Sequence, residues 1–292
     1  MSAIAAEPAV RPTPPRDASL WRFVRRNPTI VAGGSILGVI ALLAVLAPLF
    51  AGDAITMHPA LRLRPPSEAY WLGADHLGRD VFARTVYGAQ VSLFVGVSVA
   101  TMSIACGLFI GLMAGYFRKV DAVVMRLMDG LMAIPAILLA IALVALTRAS
   151  VSAVIVAITI PEIPLVVRLV RAVVLGVREA PYVEAAIAGG TPTWKILIRH
   201  ILPSTIAPLI VQATYICASA ILIEAALSFL GAGTPPEIPT WGNMIAQSRL
   251  FLARAPWTIF APGIALALVV LGVNLLGDGL RDRLDPRLAR RM

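Results

Sequence analysis

Five stretches of this chain are long, apolar and free of charge, and they constrain its fold more than any other feature. Thr29 to Ala51 runs for 23 residues, Ala89 to Phe117 for 29, Gly130 to Thr147 for 18, His200 to Ile223 for 24 and Ala255 to Gly277 for 23. A helix rises about 1.5 Å per residue, so about 20 apolar residues cross a hydrocarbon core about 30 Å thick. A sixth span follows from Ala149 to Pro161, too short alone, if it continues through Glu162, Ile163 and Pro164 to Arg168. The expectation is an all-α polytopic membrane protein with six transmembrane helices. Composition agrees: apolar types make up 59 %, charged types 14 %, and the mean hydropathy is +0.84, which excludes a soluble domain and a disordered chain. Cys106 and Cys217 stand alone in apolar runs, which excludes a disulfide scaffold or a zinc-cysteine module and leaves the redox compartment unread.

The net charge of +9 acquires meaning only once the basic residues are placed about the bilayer. With the N-terminus inside, eighteen of the 25 Lys and Arg fall on inner segments and seven on outer ones: Arg62, Arg64, Arg79, Arg84, Arg148, Arg249 and Arg254. Basic residues are retained in the cytoplasm, so both termini are expected there and no nucleic-acid partner is needed to explain the charge. The first span reads as a retained anchor, because 28 residues precede it and no small-residue cleavage pattern fits before Asp53. Residues 1–28 read as a cytoplasmic tail ending in a basic, aromatic belt of Trp21, Arg22, Phe23, Arg25 and Arg26. Neither Lys119 nor Lys195 follows a glycine, so the chain has no phosphate-binding loop of the G-K-[ST] kind.

Within the spans, Gly107, Gly111 and Gly115 share one helix face, and Gly34 with Gly38 repeats the spacing in the first span, which predicts close helix packing. Pro135, Pro161 with Pro164, Pro203 with Pro208, and Pro262 each remove a helical hydrogen bond, which predicts bent or broken spans. Glu162 and Glu224 are ionisable groups expensive enough to face the bundle interior, water or the membrane boundary, and they are candidate pathway residues. Glu224 is expected near the outer surface, and Arg168 at the cytoplasmic interface.

The most informative stretch is the cytoplasmic segment 178–203. Pro181 suits a first helical position, a short helix can run to Ala188, and Gly189 or Gly190 can end it in the left-handed conformation. Thr191 then caps a second helix beginning at Pro192 that leads into the fifth span. A projecting helical knob of this kind is shaped to be gripped by a partner.

Glu184-Ala185-Ala186, followed by Gly190 and by Ile201-Leu202-Pro203, resembles the EAA motif of ABC importer permeases, which docks into a groove of the ATPase subunit. The segment Trp71 to Gly88, with Gly73, Asp75, Gly78, Arg79, Asp80 and Arg84, is similar to the one before the second span of dipeptide, oligopeptide and nickel permeases. Ser228 to Gly231, Pro239 to Gly242, Ala255 to Trp257 and Asn274 to Asp282 with Leu284 to Arg287 resemble the C-type permease of those systems. Read from the residues alone, Asp80 and Arg84 are spaced i, i+4 on a short interfacial helix whose Val81, Phe82 and Val86 meet the membrane boundary; it serves equally as a collar or as a contact for a binding protein. Pro235, Pro236 and Pro239, with Trp241 and Trp257, describe a stiff outer loop anchored at the interface.

An intramembrane enzyme would need paired catalytic groups, and His58, His76 and His200 are scattered while no Lys lies in a span. A secondary transporter or channel using Glu162 is the competing function, but it has no need of the projecting knob. The expectation is therefore a permease subunit of an ABC importer with a type I-like fold, not itself an enzyme. Its expected layout is a tail (1–28), a first span (29–51), an extracytoplasmic segment (52–88), a core (89–280) with the coupling segment 178–203, and a cytoplasmic tail (281–292). Tyr182, Glu184, Ala185, Ala186, Gly190 and Pro203 would carry the coupling. The resemblance implies a B-type permease partner, two ABC ATPase subunits that hold the ATP and Mg while this chain binds no cofactor, and an extracytoplasmic solute-binding protein. It places the chain in the inner membrane and leaves dipeptides, oligopeptides, glutathione or nickel complexes as substrates, with peptides favoured.

Overall fold

The computed structural model describes residues 27–147 and 149–284; the belt at Trp21 to Arg26, the proposed tails and Arg148 lie outside them in whole or part. Five helices are long and apolar enough to cross a membrane: α1 (Pro28–Phe50), α2 (Val81–Tyr116), α5 (Val151–Arg178), α7 (Thr193–Phe229) and α9 (Trp257–Leu284). Between α2 and α5, α3 (Arg118–Met132) and α4 (Ala136–Ala145) are bent by 87° against each other and are together long and apolar enough for a broken sixth span or a re-entrant loop. Among the described residues, two short α-helices lie between these: α6 (Pro181–Ala188) between α5 and α7, and α8 (Trp241–Ser248) between α7 and α9.

A single seam joins α2 to α5. A β-carbon placed on Gly107, Gly111 or Gly115 would lie 2.4, 2.7 or 2.6 Å from the β-carbon of Val166, Val170 or Val174 respectively. Lipid tails are as apolar as leucine, so such contacts gain through dispersion and close backbone approach rather than by leaving water. Val166, Val170 and Val174 are completely buried there. The first span departs from expectation: Gly34 and Gly38 have nothing within 4 Å, and Gly33 instead meets the Gly272 carbonyl and the Leu276 amide of α9. Sequence spacing finds a smooth face, but only the packing shows which face has a neighbour. Gly279 of α9 lies against Thr29 and Ile30, and Arg283 Nε donates to Asn27 Oδ1 at 3.0 Å, so residues 27 and 284 share one end of the bundle.

The prolines act differently from one another. α5 runs unbroken through Pro161 and Pro164, correcting the expected interruption, because burial of Ile158, Glu162, Val166 and Val167 holds the axis where a donor is lost. α7 and α9 likewise pass Pro208 and Pro262. At Pro135 the backbone is extended and α4 starts afresh; the expected continuous span from Gly130 to Thr147 is thus a turn of α3, a break and ten residues of α4. Just before Pro203 the helix widens into a π-turn over Leu197–Ile201, where the Leu202 amide reaches the Leu197 carbonyl.

α3 is amphipathic and is clamped to α5 by two ion pairs, Arg171 with Asp121 at 2.5 and 2.7 Å and Arg168 with Asp129 at 2.5 Å. Arg168 therefore has a carboxylate partner in Asp129. In the seam, Gly111→Leu should overpack α2 against Val170 and cost about 1 to 3 kcal/mol. Gly34→Leu, facing open space, should leave the thermal inactivation temperature of the solubilised protein within error of the parent.

Candidate functional site

The projecting knob is built from a helix, a left-handed stop and a second helix. α6 begins at Pro181, whose fixed φ suits a first turn, and ends at Gly189. Gly190 then takes φ +72°, its amide donating to the Ile187 carbonyl at 3.0 Å while the Thr191 amide reaches the Ala186 carbonyl at 3.0 Å. These two bonds satisfy carbonyls that the last helical turn would leave unpaired, and they require the left-handed residue that glycine supplies most readily. Gly190, rather than Gly189, fills that role. Pro192, rather than Thr191, occupies the position before the next helix, and no side chain caps it.

Val183 is completely buried, and Ile196, Leu197 and Ile201 are nearly so; together they root the knob on the bundle. Its outward face is unusually apolar: Tyr182 is 53 % exposed, Ile187 49 %, Trp194 60 % and Ile198 58 %. Glu184, Ala185 and Pro203 are exposed and Ala186 partly so. The sequence reading named the small residues and missed Ile187, Trp194 and Ile198, although the four-residue step from Trp194 to Ile198 puts them on one helical stripe.

At the opposite end of the bundle, residues 52–80 fold into a clasp around one carboxylate. Asp75 accepts the amides of Leu77 and Arg79 at 2.8 and 2.9 Å and the Arg79 Nε at 2.7 Å. Arg79 continues to Gln247 Oε1 at 2.8 Å, and Arg84 lies 3.9 Å from Asp75 while donating to the Ala54 carbonyl at 3.1 Å. All three charged side chains are buried. The geometry corrects the expected Asp80–Arg84 spacing on a separate interfacial helix: Asp80 caps α2 through the Phe82 amide at 2.8 Å, α2 continues directly into the membrane span, and Arg84 turns toward Asp75. Gly78, at φ +77°, leaves no room for a side chain beside the His58 carbonyl, and Gly73, at φ +73°, sits against Trp257 and the Arg64 carbonyl.

Trp241 is also repositioned, being fully buried with Nε1 donating to the Thr85 carbonyl at 2.9 Å rather than lying at the interface. Trp257 donates to the Ala74 carbonyl at 3.3 Å and ties α9 to the clasp. Burial pushes the His76 imidazole below its ordinary range, with Asp75 opposing and Arg79, Arg62 and Arg84 reinforcing the shift; the ring stacks on Phe251.

The two intramembrane acids lie apart. Glu224 is completely buried, and Ser228 Oγ donates to its Oε1 at 2.9 Å. Glu162, also buried, accepts Ser219 Oγ at 3.1 Å. Among the described residues, no group of three His, Cys, Asp or Glu could hold a metal ion, and both cysteines are free.

A bundle of long apolar helices with a rigid knob at one end and a stapled clasp at the other defines a polytopic membrane permease. The chain belongs to the family described as binding-protein-dependent transport system inner membrane component, whose model matches residues 107–290. Residues 14–66 match the N-terminal TM domain of oligopeptide transport permease C. Among relatives, a "Probable peptide ABC transporter permease protein y4tQ" from Sinorhizobium fredii is 60 % identical, with 92 % of this chain and 93 % of that protein aligned. A "Dipeptide transport system permease protein DppC" from Alkalihalophilus pseudofirmus is 42 % identical over 97 % of this chain and 98 % of its own. A "Glutathione transport system permease protein GsiD" from Pectobacterium atrosepticum is 41 % identical over 92 % and 90 %. A chain of the MetNI methionine ABC transporter in an inward-facing conformation shares the fold, with a TM-score of 0.55 and 20 % identity over 69 % of this chain and 96 % of that one. This chain is thus the multi-pass inner-membrane permease of a binding-protein-dependent ABC importer, which decides against the secondary transporter or channel.

Two outcomes test the clasp. Asp75→Asn leaves the buried guanidinium of Arg79 without its carboxylate and should cost about 3 to 5 kcal/mol, against about 1 kcal/mol for loss of the helix cap in Asp80→Ala, read as thermal inactivation of the solubilised importer. His76 has a lowered folded-state pKa, so its contribution to stability is present above the unfolded value of about 6.5 and is lost as pH falls through the folded value. Protease cleavage within residues 52–80 should therefore rise on acidification, and His76→Phe, which keeps a ring against Phe251, should reduce that rise.

Proposed function

We propose that this permease forms half of the channel of an importer for short peptides, pairing with a second, homologous permease and drawing energy from two separate ATPase subunits gripped through α6. The exposed, rigid knob is the observation that carries this reading. A chain without a nucleotide loop can receive the free energy of ATP only through a contact that differs between two global states, and a partner without differential contacts shifts nothing. The knob suits that contact because its backbone is fixed by the Gly190 turn while Tyr182, Ile187, Trp194 and Ile198 offer an apolar face.

In this reading the exposed carboxylate of Glu184 meets the ATPase through a charge-assisted hydrogen bond, and Ala185 with Ala186 allows close approach. ATP and Mg belong to the ATPase subunits. Both termini and the knob face the cytoplasm, while the clasp at residues 52–80 and the segment 231–256 face the solute-binding protein that delivers substrate. Peptides are the favoured substrate class because the most similar relatives carry peptide, dipeptide or glutathione names.

Three measurements test it. Cysteines at the exposed positions Ala60 and Glu237 should react with an impermeant thiol reagent from outside and one at Gly189 should not; labelling of the last from outside overturns the orientation. Gly190→Val puts a β-branched residue at a positive φ with nothing within 4 Å to clash, so only the turn is disturbed. That variant, and Glu184→Lys, should insert and pair normally yet lose coupling by about 5- to 150-fold in transport per ATP hydrolysed, or release the ATPase. Ligand retained by the co-purified binding protein should be a peptide, and recovery of a nickel complex in its place would overturn the substrate assignment.

A further inference from the structure

Glu162 is a buried acid of α5 that bonds across to α7, and its neighbourhood contains a second unpaired group. Its Oε1 accepts Ser219 Oγ of α7 at 3.1 Å, while its Oε2 is buried with no partner. Ser103 Oγ, on α2, is also buried and unpartnered. The α2–α5 seam supplies their relation. Gly107 faces Val166, Gly111 faces Val170 and Gly115 faces Val174, a constant offset between two helices running the same way. One helical turn further along the same rows, that offset pairs Ser103 with Glu162. On the other side, the α7 segment holding Ser219 reaches α2 as well, since Gly96 lies against Ile221 and the Cys217 carbonyl.

From this juxtaposition we infer that Ser103, Glu162 and Ser219 form one polar node tying α2, α5 and α7 together, in which Glu162 is a positioning residue for energy coupling. Its place in the chain gives the node its role. α5 leads into the knob and α7 leads out of it, so the Glu162–Ser219 bond joins the two helices that flank α6. Along α5 the bond lies about 24 Å from Arg178 at about 1.5 Å per residue. Two helices hinged only at the knob would slide past each other when α6 is pushed; cross-tied at mid-membrane, they move as one body. Van der Waals contacts on this seam are shape-matched but tolerate small slips, whereas a buried hydrogen bond left unmade costs the full desolvation of its groups. A single water between the unpartnered Oε2 and Ser103 Oγ completes the tie, since both polar partners are on hand there.

This inference deepens the coupling role assigned to α6 and rests on it, and the test separates the two. In the complete importer reconstituted in liposomes, transport per ATP hydrolysed is measured with ATPase retention. Glu162→Gln keeps the Oε1 acceptor and adds a donor toward Ser103, so it should match the parent. Glu162→Leu should keep the ATPase bound yet lose coupling by about 5- to 150-fold. Ser219→Ala should lose coupling alone but add little to Glu162→Leu, the non-additivity expected of one shared interaction. A parental ratio in Glu162→Leu overturns the node, and so does a Glu162→Gln variant as impaired as Glu162→Leu, since that would require a carboxylate and not a hydrogen bond. Should Glu162→Leu fail to assemble, the double variant Ser103→Ala with Ser219→Ala, which adds no bulk, decides the matter: parental coupling there overturns the node. If Gly190→Val couples normally while Glu162→Leu does not, the knob reading falls and the tie between helices stands.

Discussion

The glycine row of α2 lying against the valine row of α5 is the contact on which the remaining geometry depends. In hydrocarbon no water is released when apolar faces meet, so a bundle gains by bringing backbones close and filling the space between them. Gly107, Gly111 and Gly115 allow that approach, and Val166, Val170 and Val174 fill it with stiff β-branched side chains. α5 runs unbroken through Pro161 and Pro164 and reaches the knob as one helix. In the inferred coupling path, the same register, extended one turn, brings Ser103 level with Glu162.

The two ends of the bundle are built on opposite principles. The clasp turns its charge inward: Asp75 gathers two backbone amides and a guanidinium, Arg79 passes on to Gln247, and Arg84 reaches Ala54. Loops far apart in sequence are thereby held as one cap over α2, α8 and α9. The knob turns apolar surface outward and keeps its polar backbone bonds to itself, as a surface meant for a protein partner does. The Gly190 turn, with its root at Val183, Ile196 and Ile201, makes the knob rigid.

Local chain chemistry made much of this legible. The length and purity of the apolar runs marked the five long membrane-crossing helices, and Pro181 with the glycine pair marked both ends of α6 within a residue of where they stand. The resemblance carried by Glu184-Ala185-Ala186 and by Trp71 to Gly88 pointed to the family that the relatives then established. These features depend on a few neighbouring residues, so they survive reading in one dimension.

What the sequence could not decide is which of several equivalent faces meets a neighbour. Gly34 and Gly38 have the spacing of a packing motif but look onto open space, whereas Gly33 makes the contact with α9. Asp80 and Arg84 have the spacing of an ion pair, yet Asp80 spends its carboxylate on a helix cap and Arg84 is drawn toward Asp75. Trp241 reads as an interfacial aromatic and is instead a buried wedge bonded to Thr85. Periodicity determines that a face exists; the tertiary structure assigns its partner, because a buried polar group takes whichever complementary group the packing of distant helices brings within reach.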